Sequence, residues 1–205
     1  TIISGMITVY KEVPEQMGRE FRAYGANLLL IPAEGNTILS ENSITPVYSL
    51  LDSHEVVGKV PFLYERLKIN ESPVLVGGTD FDEVKKVAPY WQIEGHMPKK
   101  GSKEILIGHE LVDKYQASIG SQVVVVSSDG AKEDFYTVSG IVRTGGKEEQ
   151  LAYIDLVQMQ EFIDKPGQIS MVQVSVVADS KELTVLEKEM KNKTPHVRPQ
   201  TVNQI

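Results

Sequence analysis

Cysteine is missing from this 205-residue chain. That excludes disulfides, thiolate metal sites and a cysteine nucleophile, and it leaves the redox compartment open. Basic excess is also missing, since the formal net charge is −7. This argues against a nucleic-acid backbone as a partner, because no basic excess exists to replace its counterions. The chain holds no run of about 18 apolar residues, so no segment of it spans a bilayer as a helix. There is a single tryptophan, Trp91. What remains is ordinary for a folded protein: 41% hydrophobic and 24% charged residues, enough for one large domain or two small ones. Lys99-Lys100 and the Lys188/Lys191/Lys193 cluster read as solvated faces. Both ends look cut. Thr1-Ile2-Ile3 begins on an apolar segment without methionine, and Val202-Asn203-Gln204-Ile205 stops without a cap. A processed or tagged product explains this, as does a domain excised from a longer, membrane-bound protein.

The pattern along the chain predicts alternating elements. Ile3, Met6, Tyr10, Val13, Met17 and Tyr24 fall at helical steps. Pro14 suits the first turn of a segment running to Tyr24, with strand an alternative for Ile2 to Tyr10. Gly25 is the expected helix stop. Ala26 to Ile31 does not alternate and predicts a strand buried on both faces. A turn at Glu34-Gly35-Asn36 and a short helix over Ser43 to Asp52 follow. Glu55 to Ile69 is extended, and Pro61 within it points to an edge strand or a bulge. The middle region reads as short strands: Val74 to Val76, Tyr90 to Ile93, Glu104 to Ile107, Ser121 to Val126 and Phe135 to Val142. A helical turn over Asp82 to Val87 and a helix over His109 to Ala117, with Ile107, Leu111 and Tyr115 on one face, punctuate it. Ser128-Asp129-Gly130 signals a hairpin. The tail predicts a strand at Leu151 to Ile154, a helix capped by Asp155, an alternating strand over Ile169 to Val177, and an amphipathic helix over Asp179 to Lys191. That helix carries a capping-box pattern at Asp179 and Glu182, and Val197 begins a last strand. Each chain end thus forms a strand–helix–strand unit, the two being candidates for pseudo-equivalence, around a β-rich middle. The fold class is α+β.

Chemistry finds little support. His96 lies in a Gly/Pro-rich turn, and His109 has only Asp113 four residues on, so neither builds a metal set. His54 and His196 have no readable partner. Gly77-Gly78-Thr79-Asp80 could cradle an anion but lacks the P-loop ending and carries its own acids, so a simple turn is favoured. Thr144-Gly145-Gly146 is read the same way. No serine sits in a G-x-S-x-G elbow. Tyr90-Trp91 could form a ligand platform, although such pairs more often anchor a small core. No catalytic, cofactor-binding or metal-binding residue is assigned, and the chain is expected not to be an enzyme.

Phe21-Arg22-Ala23-Tyr24-Gly25-Ala26-Asn27-Leu28-Leu29-Leu30-Ile31-Pro32 resembles the start of the extracytoplasmic domain of MacB/FtsX-like ABC transporter permeases. Further matches follow in order: Val76 to Asp80, Tyr90 to Gly95, Glu104 to Gly108, Ile119 to Val123, and Phe135 to Val142. The resemblance spans about residues 15–205. It implies a porter-like subdomain formed by 1–71 and 147–205, with 1–24 as a helix leading in from a first membrane span. Residues 72–146 would form an inserted, β-rich Sabre-like subdomain. Pro14 and the acidic balance depart from the better-known members.

The implied role is noncatalytic. ATP-driven motion would be transmitted across the membrane to an outer partner or substrate, as in efflux. The implied partners are a cytoplasmic ATPase, fused or separate, which alone uses ATP; a second permease copy, making the intact transporter a dimer; and a periplasmic adaptor or lipoprotein. The implied location is the inner cell membrane, with this domain periplasmic or extracellular. The alternative is a ligand-binding module for a peptide or lipid, motivated by the apolar strands and Trp91. A hydrolase assembled in space has the least support.

Overall fold

A computed structural model describes residues 25–202. The helix expected before Gly25 lies outside the described residues. Four strands form the first half of the sheet: β1 (Leu28–Pro32), β3 (Val56–Ile69), β11 (Met171–Val176) and β12 (Val197–Thr201). Their order is β12-β1-β11-β3, all antiparallel. β1 reaches β3 through helix α1 (Glu41–Leu50), and β11 reaches β12 through helix α5 (Ser180–Lys193). Two strand–helix–strand units are thus interleaved, each with a strand of the other between its own two, the split βαβ layout. A two-stranded ribbon, β2 (Leu39–Ser40) with β10 (Gln168–Ile169), lies beside them.

The helices start where their side chains can cap them. Ser40 accepts from the Asn42 N–H before α1. Asp179 and Glu182 form a full capping box before α5. Leu186 and Met190 of α5 are buried as the periodicity predicts, and Ile44 and Val47 do the same for α1. β1 departs from expectation. Leu28 and Leu30 are fully buried, but Leu29 and Ile31 are only half-buried, so one face is closed and the other partly open.

β3 is a further correction. Although it contains Pro61, it is an interior strand, flanked by β11 and by β4 (Ser72–Thr79). The missing N–H is tolerated because β4 ends one step short, at the Thr79–Phe62 pair. Beyond that point the exposed rungs of β3 find side chains instead. The Thr79 hydroxyl donates to the Pro61 carbonyl at 2.8 Å, and the Lys59 N–H donates to Glu83 at 2.9 Å. Glu83 belongs to α2 (Phe81–Val87), capped by Asp80.

Past Pro61 the sheet curls into a ring. β4 pairs with β9 (Ala152–Asp155), β9 with β6 (Glu104–Gly108), and β6 with β8 (Glu133–Arg143). β8 pairs with β7 (Gln122–Val126), which returns to β3 through Lys68–Val126 and Ile69–Val125. Six strands therefore close a small barrel, which removes the free edges that a curled sheet would otherwise present. Asn70 completes the seam: its N–H donates to the Val124 carbonyl and its Oδ1 accepts the Val124 N–H, each at 3.0 Å. Asn70 and Glu71 both have positive φ, 47° and 73°, and form the two-residue turn from β3 to β4.

β8 changes partner along its length. Its first half pairs with β7, and its second half pairs with β5 (Gln92–Gly95). The changeover is a bulge at Ser139, where the register against β6 slips by one residue. The helix expected over His109 to Ala117 is shorter than its pattern suggested. A 3₁₀ turn over His109–Leu111 runs into a single turn α3 (Val112–Tyr115), which Gln116 ends at φ 49°. Ile107 belongs to β6, so the apparent stripe joined two elements.

One apolar cluster fills the barrel and continues beneath α1, α4 (Leu156–Phe162) and α5. A second lies on the opposite face under α2, with Val60, Phe62, Trp91 and Tyr153. Gly78 fixes where α4 sits. A methyl group there would come within 2.5 Å of the Met159 Cβ, so only glycine admits the helix this close.

Candidate functional site

The start of β1 is where the described chain gathers its most unusual polar contacts. Gly25 has φ +107°, a conformation that favours glycine. A methyl group on it would lie 3.1 Å from the Tyr90 ring. Two residues on, Asn27 is 4% exposed and fully engaged. Its N–H donates to the Val174 carbonyl and its own carbonyl accepts the Val202 N–H, both at 3.0 Å. Its amide Nδ2 donates to the Val176 carbonyl at 2.7 Å, and its Oδ1 accepts the Val176 N–H at 3.0 Å. Val176 sits at a bulge where the β11–β3 register shifts. The Asn27 side chain therefore adds one rung to the β1–β11 ladder after the main chain has turned away. The same residue ties the beginning of β1 to the end of β12.

The residues considered for chemistry stay apart. His96 faces the Met97 carbonyl at 2.9 Å and Glu104 at 3.7 Å. His54 pairs with Glu182 at 3.4 Å, and His196 contacts the Ser43 carbonyl at 2.7 Å. His109 opens the 3₁₀ turn, and Asp113 is exposed. Among the described residues, no three His, Asp or Glu side chains are grouped to hold a metal ion. Gly77-Gly78-Thr79 is strand rather than turn, with Asp80 capping the next helix. Lys99, Lys100, Lys188, Lys191 and Lys193 lie on the surface. An open depression of about 390 Å³ lies between α5 and β12, lined by Lys191, Arg198, Pro199 and Gln200.

Thr144-Gly145-Gly146 is an anion cradle after all, but it is filled from within. The Thr144 and Gly145 N–H groups both donate to the Glu149 carboxylate. Those two backbone donors, Gly145 first, hold the Glu149 pKa below the usual carboxylate range. Glu83 behaves similarly. Burial acts to raise its pKa, but the Lys59 N–H and the Lys86 ammonium outweigh it and lower it. Burial also raises the phenols of Tyr64, Tyr136 and Tyr153, and takes Tyr48 to about 12.

Trp91 is no surface platform. It is 8% exposed and lies 5.0 Å from the Tyr153 ring. A side chain at Gly77 would meet both the Tyr153 and the Tyr64 rings, and Phe62 is stacked on Tyr64 at 5.4 Å. The sequence shows these aromatics as isolated letters, and only strand register brings them together.

Comparison with known proteins decides the assignment. The MacB-like periplasmic core domain family matches residues 1–193. The chain belongs to that family. It is the periplasmic domain of a MacB-like ABC transporter permease. The fold is shared with the periplasmic region of MacB from Actinobacillus actinomycetemcomitans, at TM-score 0.62 and 9% identity, covering 86% of this chain and 88% of that one. It is shared also with the extracellular domain of the noncanonic ABC-type transporter YknZ from Gram-positive bacteria, at TM-score 0.59 and 11% identity. That comparison covers 87% of this chain and 99% of the other. No curated protein matches. Among the described residues, no helix is long and apolar enough to cross a membrane.

Proposed function

We propose that this MacB-like domain is noncatalytic and transmits motion, driven by a cytoplasmic ATPase, from the membrane to an outer partner or substrate. The observation that carries the reading is the Asn27 clamp. The start of β1 and the end of β12 are hydrogen-bonded side by side, so displacement of either is imposed on both. From there β3 offers a stiff route outward, since the same strand lies in the four-stranded sheet and in the barrel. The proposed division is 1–71 with 147–205 as the porter-like part and 72–146 as the Sabre-like insert. The parent protein is placed in the inner cell membrane as a dimer of permease copies, with a periplasmic adaptor or lipoprotein outside and an efflux-like task.

Gly25→Pro tests this. Proline fixes φ near −65°, opposite in sign to the +107° found here. In the intact transporter the substitution is expected to impair transport while ATP binding persists. Unchanged transport would remove the proposed role.

A further inference from the structure

We infer that Tyr90 is a mechanical relay that carries displacement of the Gly25 backbone to the aromatic core between the open sheet and the barrel. The inference rests on the motion-transmitting role proposed above, and supplies its internal path. Four observations place Tyr90 in that position. Its ring lies over Gly25, at 3.1 Å from where a side chain would begin, and the Val87 carbonyl lies 3.7 Å from the same point. The chain around it is a strap: Ala88 to Trp91 leaves α2, packed on β3, and leads to β5, paired with β8. The strap is braced by the Ala88 N–H donating to the Val84 carbonyl at 2.7 Å and the Trp91 N–H donating to the Ala88 carbonyl at 3.1 Å, and Pro89 removes a further freedom. Finally, Tyr90 itself is 41% exposed whereas the adjacent Trp91 is 8% exposed and set against Tyr153. A half-free ring resting on a side-chain-free residue can slide. A close-packed indole behind it cannot yield without moving its neighbours.

The chain contains its own reporter, because Trp91 is the single tryptophan. In the 205-residue protein, Gly25→Ala drives a methyl group at the Tyr90 ring. The expected result is a red shift of Trp91 emission and increased quenching by acrylamide. Both changes should vanish when Gly25→Ala is introduced beside Tyr90→Leu and compared with Tyr90→Leu alone. An equal response with and without the Tyr90 ring, or no response, overturns the relay whatever the protein transports. If Gly25→Ala does not fold, amide exchange in Tyr90→Leu decides. The relay requires faster exchange both at Ala26–Asn27 and at Gln92–Gly95, and a change at one side only overturns it. In the intact permease, Tyr90→Leu is expected to lower transport more than ATP hydrolysis, and unaltered transport overturns the relay. Failure of the transmission role itself is read separately, from Gly25→Pro.

Discussion

Removing the Asn27 side chain should be among the costliest single changes in the domain. Asn27→Ala leaves the Val176 N–H and C=O without partners in a site where Asn27 is 4% exposed. Each orphaned buried group costs about 1–3 kcal/mol, and water entering the vacated space returns part of it, so a net loss of about 3 kcal/mol is expected. For a domain of this size that corresponds to a fall in Tm of roughly 6–12 °C. Asn27→Asp separates hydrogen bonding from shape. Its carboxylate still accepts the Val176 N–H but confronts the Val176 carbonyl with a second acceptor. Burial raises a carboxyl pKa above the unfolded value of about 3.9. The folded variant then binds more protons than the unfolded one, so its stability falls as pH rises from about 3.9 through the raised folded value. Once protonated, the introduced carboxyl can donate to the Val176 carbonyl and approach wild type. Thermal unfolding of wild type and both variants across the range from mildly acidic to mildly alkaline gives the answer. The clamp account requires the Asn27→Asp variant to lie nearest wild type at the acid end. A pH-independent gap, or an alanine variant within about 1 °C of wild type, would refute it.

Three further outcomes follow from the same geometry. Glu71→Gly relieves a left-handed glutamate at φ 73° and should stabilise by about 0.5 kcal/mol after the added chain entropy, a Tm gain of about 1–2 °C by calorimetry. Gly78→Ala should destabilise by about 1–3 kcal/mol through overpacking against Met159, measured by denaturant unfolding. Glu149 should titrate below the ordinary carboxylate range by NMR. Its stabilising effect should be present above the usual glutamate pKa, and be lost as pH falls through the lowered folded value. Glu149→Gln should flatten that acid limb.

Most elements were legible because their signals are local. The capping box at Asp179 and Glu182, the Asp155 cap, the alternating Val172, Val174 and Val176, and the hairpin around Gly130 all sit where the pattern puts them. The α+β class and the family resemblance were legible for the same reason, since short motifs kept their order. The errors share a different cause. Pro61 marks an edge only where β4 has ended, and no local pattern records where a neighbouring strand stops. The Ile107–Tyr115 stripe spans a strand and a turn whose residues happen to fall at helical spacing. Asn27, Asn70 and Glu149 carry the most specific polar contacts, yet each partner lies across a turn or strand pairing that sequence does not specify.

Ring closure dictates the order in which this domain can be completed. β9 is only four residues long, all of them buried, and it fits between β4 in parallel and β6 in antiparallel pairing. Until Ala152–Asp155 emerges from the ribosome, the facing edges of β4 and β6 stay unpaired. The barrel can shut only after a long loop has been closed, a slow step for non-local strand pairs. β9 is therefore a keystone in time as well as in space. Because it carries Tyr153, its arrival is what places an aromatic ring against Trp91. The emission of Trp91 is therefore expected to report the closing of the ring.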